Sequence, residues 1–297
     1  MRFQVISDSS CDLPKERIQE LGVDVVPFYV SFEESNYMRE GVDISVEEFY
    51  QQMADREGQF PKTSMPSVQD YADVLEKYVK DNVPVLCICL NSAFSGSIQS
   101  AMNAKNQLLE DYPEAQIEIL DSELATLLQG MLVEEACRLR GAELELKEAV
   151  KLLEEVRSTG RIFFTTNDLE YLQHGGRIGK LAGIAAGALK IKPLITLKEG
   201  EIFNSGITRS RQKSMQKVVD MTEKYLDEVG AKPGEYSFCI GFGYDYEEAC
   251  AFREMLKGLV KERLGIDEIG IYQIGATIGV HTGPYPIGIG ILKKAEA

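Results

Sequence analysis

Two histidines in 297 residues, six cysteines without a C-x-x-C pair, and 32 basic residues against 47 acidic ones restrict what this sequence can do. Cys11, Cys87, Cys89, Cys137, Cys239 and Cys250 have no histidine at ligand spacing, so neither a zinc site nor a disulfide framework is expected. Cys87 and Cys89 stand at i and i+2 in the apolar run VPVLCICL, where both point to one face of a buried strand as core thiols. A net charge of -15 and a pI near 4.8 repel polyphosphate, which argues against nucleic acid and anionic membrane surfaces as partners. No window reaches the roughly 18 apolar residues of a spanning helix, and MRFQVISDSS lacks the apolar stretch of a secretion signal. The expected location is the cytoplasm.

Nucleotide-binding loops are missing too. In GGRIGKLAGIAAG (175–187), His174 occupies the position of the first Walker glycine, and Leu181 stands where Ser or Thr would hold magnesium. GFGYDY (241–246) lacks the third glycine of a dinucleotide fingerprint, so no cofactor and no metal is expected. The G-x-S-x-G frame of a serine hydrolase is absent around Ser95 and Ser97, and no acid is identifiable as a partner to orient His281.

What is present reads as α/β. The length suits two domains, and the first half alternates β-branched runs with helical patterns, the pattern of a mainly parallel sheet. FQVISD, DVVPFYVSF, VPVLCICL and QIEIL are read as extended segments. Ser45 with Glu48 forms a capping box, and Ser67 caps VQDYADVLEKYVK in the same manner. From RIFFTT onward the pattern changes: IKPLITL and EIFNSG pair as strands, a helix runs from Arg209 to about Val229, and EYSFCIGFGY and DEIGIYQIG flank another helix. The expected division is an N-terminal domain over 1–160 and a C-terminal α/β sandwich domain over 161–297.

Three polar stretches fall at or near strand ends: SDSSCD (7–12), KTSMPS (62–67) and NSAFSGS (91–97). IGVHTGPYPIGIG (278–290) adds His281 on an expected tight turn. Hydroxyls of Thr63, Ser64 and Ser95, backbone N–H groups of Gly96 and Gly283, and an imidazole N–H can together donate to a carboxylate without a counter-charge. Ordinary turn and cap chemistry explains each residue equally well when it is read alone. Arg177, Lys180, Arg209 and Arg211 form a basic patch that reads either as a solvated, ion-paired face or as a docking surface.

Taken in order, SDSSCDLP, FPKTSMPS, SAFSGSIQSA, DSELATLLQGMLVEEACRL, NDLEYLQHGGRIGK, IKPLITLKEGEI and IGATIGVHTGPYPIG closely resemble the bacterial DegV family of fatty-acid-binding proteins. The resemblance spans nearly the whole chain. It implies a two-domain fold with a lipid tunnel between or beneath the domains, and a carrier that is not itself an enzyme. Such a carrier presents the carboxylate of a long-chain fatty acid to a separate ATP-using fatty-acid kinase subunit, which makes acyl phosphate for phospholipid synthesis. By position, Thr63 and Ser95 match the family's carboxylate-binding hydroxyls, and His281 and Thr282 match its HTGP turn. Arg177 belongs to the carboxylate side or the partner-facing surface, with Arg209 beside it. Met65, Ser97, Tyr285 and Pro286 depart from the family pattern, the last two at the expected pocket mouth. Two other readings stand: an acyl or phosphoryl hydrolase or transferase using Ser95 and His281, and a lipid-sensing regulator. The tunnel wall is expected to draw on apolar residues around 124–139 and 180–195.

Overall fold

The computed structural model describes residues 2–33, 35–56, 58–182 and 191–296. Residues 183–190, which include the end of the glycine-rich stretch and part of the expected tunnel wall, lie outside the described residues.

A four-stranded, all-parallel sheet has the order β2 (Asp24–Val26), β1 (Gln4–Asp8), β6 (Val85–Cys89), β7 (Ile117–Asp121). Its inner strands are apolar throughout because both faces are covered. Ile6, Cys87 and Cys89 pack with Tyr71 and Leu75 of α3 (Val68–Val79) and Ala101 and Ala104 of α4 (Ser97–Asp111). Val5, Leu86 and Ile88 face the other way, toward α5 (Thr126–Gly141) and α6 (Leu146–Arg157). This two-residue alternation places the Cys87 and Cys89 sulfurs on one face, 3.9 Å apart.

DVVPFYVSF is not one strand. Pro27, without an N–H to give a ladder, separates β2 from β3 (Tyr29–Ser31). β3 leaves the parallel sheet and forms a small antiparallel one with β4 (Met38–Arg39) and β5 (Lys62–Ser64). Both capping boxes are formed: Ser45 and Glu48 start α2 (Val46–Asp55), and Ser67 and Asp70 start α3.

The second half builds a six-stranded sheet in the order β10 (Glu201–Thr208), β9 (Lys192–Lys198), β8 (Arg161–Thr165), β13 (Ile287–Lys293), β11 (Tyr236–Phe242), β12 (Gly270–Gln273). Only the β11–β12 pair is parallel. Helices α8 (Arg211–Glu228) and α9 (Tyr246–Leu264) supply the apolar side chains for one face. The opposite face receives α5, contributed by the first half of the chain.

Helix α5 is buried on nearly every side, as its place between two sheets requires. One hydrophobic cluster accordingly joins Phe3, Leu86 and Leu128 to Ile162, Leu197 and Leu292. The approach is close at Gly241, where a Cβ would stand 2.0 Å from Leu127 Cδ2. Gly241→Ala is expected to cost about 1–3 kcal/mol through overpacking, measured as a lower urea midpoint at unchanged slope. An unaltered midpoint would mean that Leu127 relaxes freely.

Candidate functional site

The strand order reverses between β1 and β6, and ligands of parallel α/β sheets bind at the carboxyl ends beside such a reversal. Asp8 closes β1 at this point and is fully buried. Its carboxylate accepts from the Leu90 N–H (2.8 Å), Gln129 Nε2 (2.9 Å) and the hydroxyls of Ser10 (2.6 Å), Ser97 (3.1 Å) and Tyr71 (3.3 Å). Burial raises the Asp8 pKa, and the hydrogen bonds from Ser10, Leu90, Gln129 and Ser97 oppose that rise. Asp8 thereby ties the end of β1 to the end of β6 and to the start of α4. Sequence reading gave it no role, since four of its five partners, Tyr71, Leu90, Ser97 and Gln129, are far away in sequence.

The loop after β6 is shaped by Asn91. Its carbonyl accepts from the Phe94 and Ser95 N–H groups (2.9 and 3.2 Å), and its side-chain amide donates to the Gly200 carbonyl (2.6 Å). Ser95 Oγ accepts from the Ser97 N–H at 3.1 Å, which leaves the hydroxyl proton available to a ligand.

Between the parallel and the mixed sheet lies a cavity of about 200 Å³. Phe28, Leu90, Leu127, Ile162, Phe164, Leu197 and Ile202 give it an apolar wall, while Thr63, Ser95, Gly96 and His281 supply polar atoms. Ala125, Thr126 and Leu127 of the 124–139 region line the cavity, whereas none of the described residues within 180–195 does.

His281 does not stand on a tight turn. It occupies the last turn of α10 (Ala276–Thr282), and the turn begins only at Gly283. Its Nε2 is 3.5 Å from Thr63 Oγ1, whereas Nδ1 is buried without a hydrogen-bond partner. Gly175 presses against that nitrogen, where a Cβ would come within 2.0 Å. Burial, followed by the nearby Arg177 charge, lowers the imidazole pKa to about 4, so the ring is neutral at physiological pH. With no acceptor beside Nδ1, the ring proton belongs on Nε2, facing Thr63 and the cavity.

Other expected site residues are placed differently. Ser64 follows Thr63 on a strand, so its side chain points to the opposite face and is exposed. The Gly283 amide donates to the Gly279 carbonyl at 2.9 Å and caps the helix, which withdraws it from any ligand. Thr282 lines the cavity, but its hydroxyl donates to Ile278 O at 3.2 Å. Met65 lines the cavity, and Ser97 is buried in the Asp8 network. Pro286 forms part of the wall, while Tyr285 turns away, its ring 6.2 Å from that of Tyr244.

Arg177 reaches across the mouth: its guanidinium donates to Phe94 O at 3.1 and 3.0 Å and to Gly175 O at 2.8 Å. It shares an adjoining groove with Lys180, which is ion-paired to Glu201 and lies 4.3 Å from the Phe203 ring centre. Arg209 and Arg211 line neither space, and Arg211 is held by Glu248 at 2.7 and 2.5 Å. Of the four basic residues, Arg177 and Lys180 share one groove. Among the described residues, no cluster of His, Cys, Asp and Glu could hold a metal ion, and no helix is long and apolar enough to cross a membrane.

A sequence profile described as an uncharacterised protein of the DegV family matches residues 2–294. A DegV domain-containing protein of Clostridium acetobutylicum is 32% identical over 293 residues, covering 97% of each chain. A stearic acid-binding protein from Eubacterium ventriosum superposes with a TM-score of 0.93 at 42% identity, covering 98% of both chains. A fatty-acid-binding DegV family protein from Thermus thermophilus superposes with a TM-score of 0.85 at 28% identity, over 99% of this chain and 100% of its own. With the profile spanning nearly the whole sequence and the overall fold shared, the chain belongs to the DegV family.

Proposed function

We propose that this protein binds a long-chain fatty acid in the cavity between its two sheets and carries it, without transforming it, to a separate kinase. The observation that carries this reading is the cavity's polarity: an apolar interior with neutral donors gathered at Thr63, Ser95 and His281. An acyl chain of fourteen to eighteen carbons contributes on the order of 10 kcal/mol at about 0.8 kcal/mol per CH₂, before the costs of binding. The tail supplies affinity, and the hydroxyls and the Nε2–H position the head. Neutral donors also suit a carboxylate that must later react, because Arg177, the cation among the described lining residues, is exposed and gives its hydrogen bonds to Phe94 O and Gly175 O. Stearic acid binding by the Eubacterium ventriosum protein supports the same ligand class here.

The hydrolase reading is weaker on geometry. His281 Nε2 is directed to Thr63, Ser95 Oγ is engaged by the Ser97 amide, and His281 Nδ1 has no acid to orient it. In our reading the carrier works in the cytoplasm, and an ATP-dependent kinase subunit forms the acyl phosphate. Mass spectrometry of lipid extracted from purified, folded protein is expected to recover a stoichiometric fatty acid. Recovery of none would sink the reading. The delivery step is checked separately, by acyl phosphate formation when a cognate kinase and ATP are added.

A further inference from the structure

Two of the three donors in the proposed carboxylate seat, Thr63 on β5 and His281 on α10, come from separate elements, and something must set the gap between them. Glu40 follows β4, in the same small sheet as Thr63, and its amide donates to Phe28 O at 2.9 Å. Its side chain is 5% exposed and accepts from the Thr277 N–H (3.0 Å), the Thr277 hydroxyl (2.7 Å) and the Ser9 hydroxyl (2.5 Å). Thr277 is in the first turn of α10, four residues before His281 and on the same helix face, and both line the cavity. One carboxylate thus joins the sheet of Thr63 to the helix of His281.

Behind Glu40 lies a second buried carboxylate. A Cβ on Gly275 would be 2.3 Å from Asp12 Oδ1 and 2.6 Å from Glu40 Oε1, so the two groups converge on the point where that glycine lacks a side chain. Both Asp12 oxygens are buried without a hydrogen-bond partner; the Thr126 hydroxyl and the Gly275 N–H approach without closing good geometry. Tyr50, also fully buried, brings a hydroxyl without a partner. Asp12 and Thr126 both hold positive φ, 51° and 52°, which is uncommon for a threonine.

We propose that Glu40, backed by Asp12, is the positioning residue for His281, locking the first turn of α10 against the sheet that carries Thr63. The inference rests on the fatty-acid reading only for the identity of what His281 contacts. The titratable groups that reach the pair are Asp8, Cys11 and Tyr50, and the charges acting on Asp12 are the acids Glu40 and Asp8. Burial, followed by the Glu40 charge, raises the Asp12 pKa well above the ordinary carboxylate range, and burial raises that of Glu40 as well. Glu40 accepts three hydrogen bonds that oppose its rise, whereas among the described residues neither Asp12 oxygen has a hydrogen-bond partner, so Asp12 is the better placed of the two to take up a proton.

The test uses lipid-free protein, with His281 followed by imidazole NMR, and oleate binding measured separately. Glu40→Ala is expected to move the His281 midpoint from about 4 toward the ordinary 6.5 as water reaches the ring, and to weaken oleate binding by about tenfold. Glu40→Gln keeps an acceptor for Thr277 and restores both, with oleate affinity within about threefold of wild type. If Glu40→Ala does not fold, Thr277→Ala breaks the same link from the helix side and is read in its place. An unmoved His281 titration in the folded variant overturns the proposal, as does a Glu40→Gln protein no better than Glu40→Ala. The carboxylic acid C=O band of Asp12 should appear at neutral pH in the infrared difference between wild type and Asp12→Asn; its absence removes Asp12 from the scheme. Wild-type protein that binds no oleate would sink the ligand reading while leaving the His281 titration to judge the positioning role.

Discussion

Thr63→Val, Ser95→Ala and His281→Phe combined are expected to weaken fatty-acid binding by more than about a hundredfold, with each single change costing about tenfold or less. Charge-assisted hydrogen bonds contribute about 1.5–3 kcal/mol each, yet a carboxylate that loses one donor turns to the remaining two. Once all three are gone, the anion is buried beside the apolar wall without partners, and the penalty rises steeply. Displacement of a fluorescent fatty acid measures the series. A fatty alcohol of equal length provides the control, because it uses the tail wall but presents no anion. Its affinity should change far less than that of the acid in the triple variant. Equal losses for alcohol and acid would show that the substitutions collapse the cavity. No loss for the acid would remove these three residues from the head-group site.

Acidification should destabilise the protein partly through His281. The imidazole is held at about 4 in the folded chain against an ordinary 6.5, so between those values the unfolded chain binds more protons. Stability from this group is therefore complete above 6.5 and is lost as the pH falls toward 4, a loss of about 2 to 3 kcal/mol. Asp8, Asp12 and Glu40 carry raised pKa values and act in the opposite sense. They remain in a His281→Gln variant, so they cancel when its urea stability is subtracted from that of wild type across this range. The difference should shrink as the pH falls. A difference that stays flat would mean that His281 is as hydrated as a free imidazole.

Much of the architecture was legible because it is written locally. Ser45 with Glu48 and Ser67 with Asp70 are capping residues three positions apart, and the periodicity of VPVLCICL needs no partner to be read. Composition and spacing could list Thr63, Ser95 and His281 as donors but left turn chemistry as an equal reading, and the structure places all three on one cavity. Ser64 is turned away by strand alternation and the Gly283 amide is spent on capping the helix, while Arg209 lies outside the cavity lining. The expected turn at His281 was misread because Gly283 and Pro284 mark only where a short helix stops. Asp8 was visible only as part of the polar strand-end stretch SDSSCD, and Glu40 carried no local signal: Glu40 meets Thr277 across 237 residues of sequence, and spacing rules do not extend that far.

Helix α5 has a consequence for how the molecule holds together. Its inner turns are core to the parallel sheet and to the mixed sheet at once, so neither half has a complete interior of its own. A chain ending near Gly160 would carry α5 with one apolar side uncovered, and a chain starting there would leave Gly241 and Gly290 facing no Leu127. Each half is in effect the other's chaperone. The two sheets should therefore melt in one transition, and the cavity between them should open only as far as this shared helix allows.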